Sequence, residues 1–334
     1  MKEHKKCRFR KVSVIIPTLN TPQIGNAVAS VLANTSPVPY EVIVVGKDDR
    51  GLVPRTPPVR FVDVGTPVSA GAARNRGAAE AAGDLLLFTD ADCIADRDWI
   101  VNSILSAMKT EQEVVVGGLR FPEDNFWNLG YHLAASSAYH VSARPRKVAG
   151  PFGAANLAIR RELFIEVGGY QTDLGDSQDW EFTTRIRAKG IRVRFDPSFA
   201  VRRQGVRASR RSVVEHARSH ARGREEMLRA AGEPLRVSQT EPATRFPAVA
   251  VALSAARATL KSFATLAAQR SLLRYAYAWP AAWTFLYARR RELCRLRAAQ
   301  RASHAGTAPR YSDFSTRLDL KDGYFRTGGT AGLP

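Results

Sequence analysis

Residues 85–93 read Leu-Leu-Leu-Phe-Thr-Asp-Ala-Asp-Cys, an apolar run that ends in two carboxylates spaced i, i+2. Side chains two apart on a strand point to the same face. If the strand persists to its tip, Asp90 and Asp92 project together from the carboxyl edge of a sheet, where open α/β sheets bind ligands. Two carboxylates so placed repel each other unless a divalent cation sits between them and a substrate, usually a phosphate. A solvated turn after a strand is the alternative. A third acid, Asp179, follows a Gly-rich loop and opens a helical pattern that runs to Lys189. A carboxylate there can cap the helix. His216 and His220 stand i, i+4, a spacing that can bind zinc, but no third ligand is apparent and a solvated helix face is the plainer reading.

The elements that must position these groups alternate. Val12–Pro17, Tyr40–Val45, Val59–Val64 and Leu85–Thr89 read as strands. Between them, residues 22–34 carry Ile24, Val28, Val31 and Leu32 at helical spacing, and Ala70–Ala82 is Ala-rich and free of Pro. A helix over Trp99–Thr110, a strand over Glu113–Leu119, a helix near 179–189 and a strand over Val193–Asp196 follow. This alternation predicts a doubly wound, mostly parallel sheet with helices on both faces.

From about residue 209 strand signals fade, and Ala and Arg accumulate. Ser212–Ala230 reads as a basic helix, and 248–268 places Val249, Leu253, Leu260 and Phe263 at helical spacing. Residues 271–288 put Leu272, Ala276, Trp279, Trp283 and Leu286 on one stripe, followed by Arg289-Arg290-Arg291. Neither stretch is an uninterrupted apolar run of ~20 residues, so neither reads as a transmembrane span. The cluster of Tyr275, Tyr277, Trp279, Trp283 and Tyr287 beside basic residues suits an interfacial helix, with packing on the α/β domain or a second subunit as the alternative. The chain thus divides into a basic segment 1–11, an α/β domain 12–208, a basic helical extension 209–306 and a polar, loose tail 307–334.

The 334 residues carry a formal charge of +19, and residues 201–310 hold 22 Arg or Lys against 6 Asp or Glu. The basic character therefore belongs to the extension and favours an anionic partner such as lipid headgroups, a nucleic acid or a polyanionic substrate. No nucleic-acid module is recognisable, which disfavours that partner. Cys7, Cys93 and Cys294 are far apart and without metal-ligand spacing, which fits reduced cytosolic thiols. Met1–Lys11 is basic without an apolar core, so no secretory signal is apparent.

Four motifs in order over about residues 12–200 resemble the inverting glycosyltransferases of family 2, which have the GT-A fold. Val14-Ile-Ile-Pro-Thr-Leu-Asn20 resembles the opening strand and nucleotide-binding turn. Gly71-Ala-Ala-Arg-Asn-Arg-Gly77 resembles the Arg-Asn helix start, and Phe88 to Trp99 the metal motif with its acidic turn. Gly153 to Arg160, Gly168-Gly-Tyr170 and Gln178-Asp-Trp-Glu-Phe182 resemble the acceptor-side and base motifs.

The resemblance implies a GT-A, nucleotide-diphospho-sugar transferase type of Rossmann-like sheet with a C-terminal helical extension. It implies transfer of a sugar from a nucleotide-sugar donor to a hydroxyl on a glycan, a lipid-linked or a small-molecule acceptor. Donor contacts then fall to Pro17, Thr18, Asn20, Asp48, Asp49, Gly71, Arg74, Asn75, Asp90 and Ala91. Asp92 is the candidate ligand for Mn²⁺ or Mg²⁺, with Asp90 second and nearer the ribose. Asp179 is the candidate base, and Asn156, Trp180 and Glu181 stand on the acceptor side. Arg74 at a helix start suits a diphosphate, or a surface ion pair; Trp180 can stack on a sugar or simply pack.

Two departures stand out. Val45-Gly-Lys-Asp-Asp-Arg50 displaces the acids of the family's Val-Asp-Asp-Gly-Ser by about two residues, which leaves Asp48 and Asp49 as alternatives for the nucleotide contact. Where many relatives carry a further His ligand after the last core strand, this chain has Val201-Arg-Arg-Gln204, so either the metal is held more weakly or the arginines contact the diphosphate. The Gln-x-x-Arg-Trp signature of processive synthases is absent. A non-catalytic nucleotide-sugar or glycan-binding module is the alternative function; a sugar nucleotidyltransferase needs a Gly-rich loop that Pro17-Thr-Leu-Asn20 lacks. The expected location is the cytoplasmic face of a membrane, bound at an anionic surface through residues 246–300, and an oligomer stays open.

Overall fold

The computed structural model describes residues 7–109, 114–148, 150–174, 177–205, 209–230 and 270–304, with positions 252, 253, 256 and 260. Nine strands form one sheet: β1 (Val12–Leu19), β2 (Tyr40–Lys47), β3 (Val59–Asp63), β4 (Leu85–Thr89), β5 (Cys93–Ala95), β6 (Val114–Arg120), β7 (Arg146–Lys147), β8 (Asn156–Arg160) and β9 (Val193–Arg203). The order is β3-β2-β1-β4-β8-β6-β9-β5, with β7 on β9. The half from β3 to β4 is parallel, as the alternation predicts, and β6 runs parallel to β9. Strand β8, which runs antiparallel to both β4 and β6, joins the two halves.

The pleat divides the core in two. Val14, Ile16, Val42, Val44, Leu85 and Leu87 face one side, where α1 (Ile24–Leu32) and α3 (Trp99–Lys109) cover them. Ile15, Ile43, Val45, Leu86 and Phe88 face the other, under α2 (Ala70–Glu80), α5 (Arg161–Val167) and α6 (Gln178–Ala188). Strands buried on both faces read as continuous apolar runs, which is why these are legible in the sequence. Helix α2 lies close to the sheet because Gly77 has no side chain: a Cβ there would stand 2.5 Å from Ile15 Cγ2.

Strand β9 is longer than the expected Val193–Asp196. The ladder with β6 jumps from Gly117–Asp196 to Gly118–Ala200, so residues 197–199 bulge out and the strand resumes. Pro197 has no N–H to give the ladder, and the bulge accommodates it. The resumed part, Ala200–Arg203, pairs with β6 and, antiparallel, with β5. Helix α4 (Phe126–Ser136) has no counterpart among the expected elements; the Asn125 side chain caps it by accepting from the N–H groups of Trp127 and Asn128.

The extension packs on this domain. Helices α7 (Arg210–Ala230) and α8 (Trp279–His304) lie against each other and against α4. Val213, Ala217 and Phe285 form a cluster with Trp127 and Tyr131. Residues Arg270–Ala278 form a 3₁₀ helix rather than α. Its three-residue turn shifts the phase of the expected stripe. Tyr275, Ala278, Ala281, Ala282 and Phe285 turn inward instead, while Ala276, Tyr277 and Trp283 are exposed. No helix among the described residues is long and apolar enough to cross a membrane. Val249, Phe263 and the tail 307–334 lie outside the described residues.

Candidate active site

Strand β4 ends at Thr89, and the chain turns through Ala91 and Asp92 into β5. The Cys93 N–H donates to the Asp90 carbonyl at 3.0 Å, closing the turn that brings both carboxylates to one side. The β5–β9 ladder pairs Cys93 with Arg203, and the Gln204 N–H donates to the Asp92 carbonyl at 2.8 Å. Arg203 is thereby fixed beside the acidic turn, while its neighbour Arg202 is exposed. Its Nη1 donates to both oxygens of Asp92, at 2.8 and 3.0 Å, and its Nη2 to Asp90 Oδ2 at 2.9 Å. From the other side Arg74 Nη2, on α2, donates to Asp90 Oδ1 at 2.7 Å. Burial by itself would raise the Asp90 pKa, but the Arg203 and Arg74 guanidiniums overcome that and hold it below the ordinary carboxylate range.

A cation at Asp92, as expected, would have to share this arrangement. Asp90, Asp92 and Cys93 offer ligand atoms within 4.8 Å of one another, a spacing that could hold a divalent ion. Charge and coordination say otherwise while Arg203 stays. Two guanidiniums already balance the two carboxylates, and Arg203 takes both oxygens of Asp92. Burial also pushes the Cys93 thiol far up, against the thiolate a metal requires. A divalent ion about 4 Å from Arg203 would be repelled by roughly 8 kcal/mol at a near-surface dielectric. The residues do not fit a divalent ion together with Arg203; an incoming ion must displace it.

Asp179 lies in the first turn of α6 and lines a cavity of about 310 Å³ with Arg74, Asp90, Gly153, Asn156, Trp180 and Arg203. Its Oδ1 is buried without a hydrogen bond, 3.8 Å from Arg74 Nη1. Desolvation raises its pKa, partly opposed by Arg74 and reinforced by Asp90. No side-chain cap bond is made at this helix start, where Ser177 is the N-cap, so the capping alternative for Asp179 has no support here. The cavity is closed on the far side by Tyr131 on α4 and by His216 and His220 on α7. These two histidines therefore face inward rather than solvent, and His216 Nε2 lies 3.2 Å from the Tyr131 hydroxyl. Among the described residues no three-ligand group includes either of them.

The other expected residues divide into cavity and frame. Asn20 takes a positive φ and bonds Asp49, whose carboxylate is exposed. Asp48 is buried and accepts from the N–H groups of Leu52 and Val53, whereas Asp49 is exposed and pairs with Asn20 and Lys47. Pro17 and Thr18 end the buried run of β1; Thr18 Oγ1 is buried without a partner. Asn75 bonds both the N–H and the carbonyl of Tyr170, pinning the Gly168–Tyr170 turn rather than facing a ligand. Gly71 lets α2 pass 2.6 Å, measured from a Cβ, beside Gln178 Oε1. Asn156 borders the cavity, but its amide ties Trp99 Nε1 to the carbonyls of Gly118 and Phe199. Glu181 pairs with Arg185, which also holds the carbonyls of Val167 and Gly169. Trp180 lies under the guanidiniums of Arg224, at 4.3 Å, and Arg289, at 5.5 Å, one from each extension helix. The i, i+4 spacing marks His216 and His220 in the sequence, but their place on the cavity wall beside Tyr131 follows only from the docking of α7 on α4.

A mixed α/β sheet with a paired-acid turn at the carboxyl end of β4, facing a cavity that a third acid enters, defines a GT-A type of nucleotide-sugar transferase fold. Residues 13–168 match the family described as Glycosyl transferase family 2. That segment is similar to the family 2 glycosyltransferases. It is 27% identical over 192 residues to a glucosyl-dolichyl phosphate glucuronosyltransferase of Haloferax volcanii, covering 51% of this chain and 58% of that protein. It is 26% identical to the glycosyltransferase YwdF of Bacillus subtilis, over 57% of this chain and 73% of that one. The first match thus spans little more than half the length of the relative. Among solved structures, the mannosyltransferase PcManGT of Pyrobaculum calidifontis, in complex with GDP-Man and Mn²⁺, superposes with a TM-score of 0.55 at 20% identity and covers 88% of each chain. At that identity the likeness speaks for the fold.

Proposed function

We propose that this protein transfers a sugar from a nucleotide-sugar donor to an acceptor hydroxyl with inversion, and that Asp179 is the general base. The observation that carries the proposal is the placement of Asp179: a half-buried carboxylate with raised pKa, opening into the same cavity as Arg74, Asp90 and Arg203. In this reading the acceptor oxygen attacks the anomeric carbon while its proton passes to a carboxylate oxygen of Asp179. The bond from that carbon to the diphosphate breaks, and its electron pair leaves on the phosphate oxygen. Arg74, buried and aimed into the cavity, stabilises the charge that develops there. Asp49 and Asn20 stand at the nucleotide end, and Trp180 and His220 at the acceptor end.

The acceptor class is a glycan, a lipid-linked sugar or a small molecule; the dolichyl-phosphate relative favours the lipid-linked kind. That kind in turn favours a membrane surface, approached from the basic, aromatic extension. A panel of nucleotide sugars, scored for transfer and for donor hydrolysis, tests the function. Asp179→Asn is expected to lower turnover by about 10²–10⁴-fold while donor binding persists. Full turnover in that variant would remove Asp179 from the mechanism. Donor binding without turnover in the native chain would favour the binding-module reading instead.

A further inference from the structure

The acidic pair at the end of β4 already has a cation, and it is covalently part of the chain. Arg203 is delivered by the pairing of β9 with β5, so its backbone is held by the sheet on either side. Its two terminal nitrogens reach both acids with three bonds of 2.8–3.0 Å. A planar fork that spans two carboxylates is the geometry guanidinium is best suited to, and its charge is not lost at any working pH. Two of its five N–H groups are left over, one on Nη2 and one on Nε, and Nε is buried without a partner. Arg203 also borders two cavities, one with Asp179 and Arg74, the other lined by Arg120, Arg202 and Arg274.

We propose that Arg203 replaces the divalent cation at Asp90 and Asp92, so that this protein binds the diphosphate of its donor without a metal ion. The inference rests on the nucleotide-sugar reading of the site. Asp90 and Asp92 hold and orient the guanidinium. The guanidinium supplies the positive charge next to the leaving diphosphate at the wall of the cavity it borders. Arg203 thereby touches the leaving group, whereas Asp92 becomes a positioning residue that acts through it.

Two measurements on the 334-residue chain test this. The first is binding of UDP and of GDP by calorimetry, in EDTA and in excess Mn²⁺. The native chain is expected to bind one of them with an affinity that EDTA changes by less than about threefold. Arg203→Ala should bind that nucleotide at least about tenfold more weakly in EDTA and recover with Mn²⁺. The second is direct Mn²⁺ titration by electron paramagnetic resonance, with no nucleotide present. The native chain should leave the free-ion signal intact, whereas Arg203→Ala and Arg203→His should each gain a site. Arg203→Lys, which keeps the charge, should not. Loss of native nucleotide binding in EDTA, or a native Mn²⁺ site as tight as that of Arg203→Ala, overturns the proposal. Should neither nucleotide bind under any condition, the nucleotide-sugar reading fails, and the Mn²⁺ titration still decides whether Arg203 fills the cation site. Where Arg203→Ala does not fold, the native chain decides alone: nucleotide binding that survives EDTA, with no Mn²⁺ site, supports the proposal, and the reverse overturns it.

Discussion

At the residue scale, the site shifts two neighbouring carboxylates in opposite directions, Asp90 by its guanidinium partners and Asp179 by desolvation. Asp90 is held low by two guanidiniums, while Asp179, with Arg74 only at 3.8 Å, is pushed up by desolvation. The sign of each effect on stability differs. A folded-state pKa raised above the unfolded value favours folding at low pH, and that contribution is lost as pH rises through the folded pKa. Near neutrality the ionised Asp179 therefore works against folding. Asp179→Asn is expected to keep or raise the melting temperature at pH 7 while it removes turnover. A clear loss of melting temperature would mean that the ionised carboxylate supports the fold. The depressed Asp90 acts in reverse: its contribution is present above the ordinary carboxylate pKa and is lost as pH falls through the folded value. Native stability should therefore drop on acidification, and Asp90→Asn should flatten that slope in a series of denaturation curves. Asn156 illustrates a third case. It resembles an acceptor-side residue by motif, yet its amide serves Trp99, Gly118 and Phe199, all within the sheet and its helix. Asn156→Ala leaves buried partners unmet and should cost roughly 3 kcal/mol in chemical denaturation. A stability within experimental error of the native value would return Asn156 to the acceptor side.

At the scale of elements, what the sequence reveals follows from how each element is buried. The strands β1, β2 and β4 are buried on both faces, so their sequences are plain apolar runs and their limits can be read to within about two residues. Asp90 and Asp92 are legible for the same reason, as polar residues where such a run stops. Strand β9 is only half legible, because Pro197 marks an end by local rules and only the β6 and β5 ladders restart the strand. Its restart is what delivers Arg203; a charged pair at 202–203 does not reveal which side chain turns in. The 3₁₀ turn before α8 hides the true inward stripe, since a 3.6-residue period does not describe a three-residue one. Glycine at 46 shows how tightly the elements behind the nucleotide turn are set. It holds a φ of +140°, and a Cβ there would stand 1.8 Å from the Thr18 carbonyl oxygen on the adjacent strand. Gly46→Ala should cost on the order of 3 kcal/mol or more, with β1 and β2 losing protection in hydrogen exchange. Native-like stability of that variant would show that the two strands separate more easily than their register implies.

At the scale of the whole molecule, the charge asymmetry gains a second meaning. The extension is not a free basic arm: α7 and α8 dock on α4 through Val213, Ala217 and Phe285, bring two histidines to the cavity, and stack Arg224 and Arg289 on Trp180 at its edge. Arg289 sits there so desolvated, and so near Arg224 and Arg290, that its pKa is lowered to about 10. Like charges gathered beside a cavity suit an anionic acceptor, while the outward Tyr277 and Trp283 suit a lipid interface. The two roles separate experimentally because they use opposite faces of the same segment. Tyr277 and Trp283 belong to no buried cluster, and Trp283 stacks on Tyr287, so replacing both by Ser should leave the chain folded with a melting temperature lowered by no more than about 5 °C. If this face meets a membrane, that double variant should sediment less with phosphatidylglycerol-containing vesicles than the native chain does. Added salt should weaken binding of both proteins, because the basic component is screened over about 10 Å at 0.1 M. Turnover with a soluble acceptor should be unchanged, since neither side chain borders the cavity. Equal sedimentation of native and variant chains would assign Tyr277 and Trp283 to another partner and leave the extension with its inward role alone.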